Sequence, residues 1–106
     1  MQFQFNSDNQ VKCSAEDAER IEEMVRGRLE HVADRLTRVE VQVGDVNGPR
    51  GGDDIRCLVE LRPTGMQPIS ATHEAASAPA AAAQATDKAL STYRRQIGKK
   101  TSRKGH

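Results

Sequence analysis

Lys88, Arg94, Arg95, Lys99, Lys100, Arg103 and Lys104 all fall within positions 88–106, a span of the chain that contains no acid. The chemistry open to such a run is binding, not bond-making. Clustered cations displace condensed counterions from a phosphate backbone, so a segment of this kind predicts a nucleic-acid contact, RNA before DNA. The same charges also suit a solvated helix end, where cations favour the negative pole of the helix dipole.

Other reactive residue types do not form a recognisable site. Cys13, Cys57, His31 and His73 lack the C-x-x-C or H-x-x-x-H spacing of a zinc centre, so no metal is expected. Cys57 instead reads as a small core residue, Cys13 as a loop thiol and His31 as a helix-surface side chain. Asp45, Asp53 and Asp54 lack the spaced ligands of a calcium loop and read as solvated. Positions 47–52, Asn-Gly-Pro-Arg-Gly-Gly, lack the closing Lys-Ser/Thr of a phosphate-binding P-loop. No Ser, His and acid stand in a nucleophile motif, so neither an enzyme, a small-molecule substrate nor a cofactor is expected.

The 106 residues suffice for one domain with a single modest core. Apolar residues make up 36% of the chain, and Phe3, Phe5 and Tyr93 are its only aromatics, so that core must be aliphatic. A net charge of +1 conceals a strong asymmetry: positions 14–34 hold seven acids against three arginines, and positions 88–106 reverse the sign. Such polarity favours a charged partner and a preferred docking orientation. Met1 leads into Gln2-Phe3-Gln4-Phe5 without a basic segment or an apolar run, so neither a signal peptide nor a membrane span is expected. A cytoplasmic setting with reduced cysteines follows.

Several elements must position the bases. Phe3 and Phe5 alternate with polar residues as in a half-buried strand. Ser14 is placed to cap a helix whose first turn carries Glu16 and Asp17. Ile21, Met24, Val25, Leu29, Val32, Ala33 and Leu36 recur at three- and four-residue spacing, which predicts about five helical turns. Alternation then takes over: Val39, Val41 and Val43 share one face of a second strand, and Ile55, Cys57, Val59 and Leu61 share one face of a third. Positions 44–54, with four glycines, a proline and three aspartates, predict an exposed hairpin loop between them. Pro63-Thr64-Gly65 predicts a turn before a fourth strand at 67–74. Ser77 can cap a last helix whose apolar side is Ala82, Ala85, Ala89, Leu90, Tyr93 and Ile97, with Gly98 ending it. The order β-α-β-β-β-α predicts an α+β two-layer sandwich, a four-stranded mixed sheet with both helices on one face, as in double-stranded-RNA-binding domains. Residues 1–97 form the domain in this reading, and 98–106 a flexible basic tail.

This order, the Asp34-Arg35-Leu36 step into the second strand, and Asp87-Lys88 inside an Ala-rich helix ending in paired bases resemble the hibernation-promoting-factor family of ribosome-associated translation inhibitors. The resemblance spans nearly the whole chain. It implies a domain that binds the small ribosomal subunit in the channel shared by messenger and transfer RNA and inhibits translation by occlusion. It also implies that Lys88, Arg94, Arg95, Lys99 and Lys100 hold ribosomal RNA phosphates, with Arg35 and Arg38 near the second strand; charge alone adds Arg103 and Lys104. The chain differs from the family pattern at Pro79, Ala82, Ala83 and Ser91, and no dimerisation domain is expected after the core. Two other readings of the same residues are a free-standing double-stranded-RNA binder and a stress-response module that docks on proteins through its acidic helix.

Overall fold

The computed structural model describes residues 1–8, 13–45 and 55–104, with side chains described as far as 99. Strand β1 is Gln2–Ser7, helix α1 is Ala15–Arg28, and a short 3-10 segment, Glu30–Arg35, leads into β2, Leu36–Asp45. Strands β3, Ile55–Pro63, and β4, Ile69–Ala75, precede helix α2, Ala78–Lys104. The sheet order is β1-β2-β3-β4. β1 pairs parallel with β2, Phe3 opposite Val39 and Phe5 opposite Val41, as the intervening helix allows. The remaining pairs are antiparallel. This is the α+β sandwich that the order of elements predicts.

The two alternating faces of the sheet have different fates. Val39, Val41, Val43, Cys57, Val59, Leu61 and Ile69 are buried beneath Ile21 and Val25 of α1, Leu29 at its C-terminal cap, and Ala81, Ala82, Ala85, Ala89, Leu90 and Tyr93 of α2. Small side chains let α2 lie close to β3 and β4, at the cost of little buried apolar area from its first half. Thr86 is fully buried within this alanine face, and its hydroxyl donates to the Ala82 carbonyl at 2.7 Å, so the polar atom is satisfied inside the helix itself. Phe3 and Phe5 complete the core edge, and the Arg26 guanidinium lies 5.6 Å from the Phe3 ring centroid.

Local chemistry sets the element ends. Ser14 accepts from the Asp17 amide at 3.0 Å while the Asp17 carboxylate accepts from the Ser14 amide at 3.5 Å, a reciprocal capping box. Ser77 accepts from the Ala80 amide at 3.3 Å and so caps α2. Gly65, with φ 73°, makes the turn after β3, where the Met66 amide donates to the Pro63 carbonyl at 3.4 Å.

Two helix ends differ from the sequence reading. The expected five-turn helix stops at Arg28, and the Val32 amide donates to the Leu29 carbonyl at 3.0 Å in the tighter 3-10 geometry. Three-residue spacing stacks side chains in a 3-10 turn as four-residue spacing does in an α-helix. Val32 therefore stays buried and Leu36 is released to begin β2. Gly98 does not end α2, which continues to Lys104. Its φ is not in the left-handed region that a C-terminal glycine cap requires; Gly65 alone among the described residues has that conformation. The predicted hairpin loop falls mostly on 46–54, outside the described residues.

Candidate nucleic-acid interface

Strand direction decides where the bases meet. β1, β2 and β4 run one way, and β3, α1 and α2 run the other. The ends of both helices, the 3-10 segment, the start of β2 and the end of β3 therefore share one pole of the molecule. Arg28, His31, Arg35, Arg38, Arg62, Arg94, Arg95 and Lys99 belong to it. At the other pole lie the starts of the helices, with Glu16 and Asp17, and the strand ends bearing Asp8, Asp45 and Glu74.

On α2 the bases separate into two flanks. Lys88, Arg95 and Lys99 are spaced by seven and four residues, so at about 100° per residue they line one stripe. Lys88 reaches across the sheet edge, its Nζ donating to the Thr72 carbonyl of β4 at 3.2 Å. Arg95 lines the same shallow groove between α2 and β4, its guanidinium 3.4 Å from the Thr92 hydroxyl. Lys88, Arg95 and Lys99 are exposed. Arg94 is about 100° away and faces the 3-10 segment: its Nη2 lies 2.5 Å from Nε2 of His31. Two turns earlier on that flank Asp87 accepts from Arg28 of α1 at 2.5 Å. Adjacency in sequence thus separates Arg94 from Arg95 in space.

Arg38 is on neither flank. It points from the open face of the sheet, donates to the Gln4 side chain, and lies 3.2 Å from Glu40. Glu40, whose side chain is only 13% exposed, is also 3.4 Å from Arg62, which in turn bonds Glu60 at 2.9 Å. This four-residue network largely neutralises its own charge. Arg35 is exposed at the end of the 3-10 segment; its carbonyl accepts from the Thr64 amide at 2.9 Å, and its guanidinium has no partner among the described residues. The side chains of Lys100, Arg103 and Lys104 lie outside the described residues.

The thiols are held in their neutral form. Burial, and secondarily the neighbouring Cys13 thiol, pushes Cys57 up to about 12; burial and then Asp17 raise Cys13. Among the described residues no three of His, Cys, Asp and Glu gather as a metal site would need. His31, read from sequence as a helix-surface residue, is the neighbour of Arg94 that spacing alone does not reveal. Its partner is 63 residues away, and only the topology brings the two together.

No family model and no curated protein matches the chain by sequence. Solved structures do match by shape. The Thermus thermophilus protein Y N-terminal domain superposes with a TM-score of 0.68 at 18% identity, covering 90% of this chain and 98% of that one. A ribosomal subunit interface protein from Coxiella burnetii superposes with a TM-score of 0.63 at 16% identity, covering 96% and 99% respectively. The resemblance to the hibernation-promoting-factor family thus holds at the level of the fold, over nearly the full length of both chains.

Proposed function

We propose that this chain is a ribosome-associated hibernation factor that grips the small ribosomal subunit through ribosomal RNA phosphates and inhibits translation by filling the channel of messenger and transfer RNA. The observation that carries this reading is the basic stripe Lys88, Arg95 and Lys99, exposed along α2 and running toward the basic pole of a fold also found in a ribosomal subunit interface protein. Lys100, Arg103 and Lys104 extend the positive run, and Arg94 and Arg35 flank it. Arg38, bound up with Glu40, contributes least. Inhibition by occupancy needs no catalytic group, cofactor or small-molecule substrate, and it places the protein in the cytoplasm with its partner.

The test is cosedimentation with purified small subunits across a salt series, with a naked RNA duplex as control. Lys88→Glu, Arg95→Glu and Lys99→Glu together should weaken subunit binding by on the order of a hundredfold at low salt. The circular dichroism melt should change little, because exposed charges contribute little to stability. Undiminished cosedimentation of the triple variant would remove this surface from the interface. Duplex RNA bound as tightly as the subunit would favour the free-standing duplex-RNA reading.

A further inference from the structure

The contact between Arg94 and His31 fixes which imidazole nitrogen carries the proton. A guanidinium only donates, so the approach of Nη2 of Arg94 to within 2.5 Å of Nε2 of His31 is a hydrogen bond only in the tautomer that carries the ring proton on Nδ1. Both side chains are exposed, and they bridge the seam between α2 and the 3-10 segment. Imidazoles change charge between about pH 5 and 8. Once protonated, His31 can no longer accept from Arg94, and two cations remain side by side. An anion between them is then the partner that satisfies both.

We propose that His31 and Arg94 form a phosphate clamp whose strength is set by pH: the neutral imidazole parks the guanidinium, and proton uptake converts the pair into a two-cation site for a phosphate oxygen pair. The proposal rests on the ribosomal reading above and adds to it a residue and a means of regulation. The surroundings suit a site that stays unoccupied until it is protonated. From α1, Arg28 is already paired with Asp87, so Asp87 is committed away from Arg94. On its own segment the charged neighbours of His31 are Glu30, Asp34 and Arg35. β2, which also packs on this segment, turns Arg38 and Glu40 to the opposite face of the sheet. The clamp would tighten binding as the pH falls through the imidazole range and loosen it as the pH rises. Acidification of a resting cell would then strengthen ribosome capture with no change in protein amount.

Two measurements on the full chain test this. The first is an NMR titration of the His31 ring against inorganic phosphate, with chloride at matched ionic strength as reference. Linkage is reciprocal, so phosphate must raise the pH at which His31 takes up its proton, and Arg94→Gln must abolish that rise. An unmoved midpoint overturns the clamp, whether or not the chain binds ribosomes. The second is small-subunit affinity of wild type and His31→Gln at about pH 6 and about pH 8, compared on the same subunits so that ribosome titration cancels. Wild type should gain about two- to five-fold more on acidification than His31→Gln, the scale of one exposed ion pair. An equal pH ratio in the two proteins removes His31 from the interface. Loss of all subunit binding at both pH values in wild type would refute the ribosomal reading instead and leave the phosphate titration to judge the clamp.

Discussion

Cys57 shows how one residue's environment becomes a property of the whole protein. Its thiol is fully buried on β3, opposite Val43 and His73, and burial pushes its pKa up to about 12. An acid whose folded pKa is raised leaves stability untouched below the unfolded value of about 8.5 and removes it as the pH rises from there toward the folded value. At about 1.36 kcal/mol per pKa unit, the loss approaches roughly 4 kcal/mol by pH 12. Cys57→Ala should therefore cost on the order of 1 kcal/mol near neutrality through lost packing. Urea denaturation should show that deficit shrinking and reversing between about pH 9 and 12; a deficit independent of pH would mean the thiolate is not excluded from the core. The burial itself was legible in the sequence, because Cys57 falls on the apolar beat of Ile55, Val59 and Leu61. The role of His31 was not, because nothing near it in sequence distinguishes it from a solvated helix residue. The Arg94 partner is supplied by the fold.

At the scale of elements, strands were easier to read than helix ends. Period-two alternation changes every side chain's fate at each step, so β2 and β3 announce themselves. A spacing of three and four, by contrast, serves an α-helix followed by a 3-10 turn as well as it serves one long helix, which is why 29–36 looked helical. Gly98 misled for a related reason: glycine stops a helix only when the chain uses its left-handed conformation, and here it does not. Two substitutions turn this into a signed prediction. A Cβ added at Gly27 or Gly98 would meet nothing within 4 Å. Gly27→Ala should stabilise the protein by roughly 0.5–1 kcal/mol, since the site is inside α1 and glycine costs about that much in a helix. Gly98→Ala should raise helicity and leave stability equal or slightly improved. A thermal melt shifted downward by Gly98→Ala would show instead that the helix terminates there. Ser14→Ala supplies the reverse sign at the other end: loss of the capping box should cost about 1 kcal/mol.

For the whole molecule, the decisive property is the separation of charge along its length. A net charge of +1 predicts little interaction with RNA, yet the antiparallel course of the helices against most of the strands sends the acids of early α1 to one pole and the bases of late α2 to the other. Composition therefore understates the local field at the basic pole, and the topology restores it. A molecule so polarised should meet a polyanion end-on, with few phosphates contacted and a steep salt dependence for its size. Contact with three to five phosphates implies that log affinity for the small subunit falls with log salt at a slope of about −2 to −4.5, using roughly 0.7–0.9 per phosphate. Reversing Lys88, Arg95 and Lys99 should flatten that slope by about 2 to 3. Arg56 offers the matching control. It is an exposed base on β3, but it is paired with Glu74 at 3.3 Å near the acidic pole. If orientation is set by the dipole, Arg56→Glu leaves both affinity and slope where they were. If charge alone governs binding, Arg56→Glu weakens it about as much as any single reversal at the basic pole. A cosedimentation series across four or more salt concentrations separates the two, because a base outside the contact leaves the slope unchanged even if it alters the long-range field.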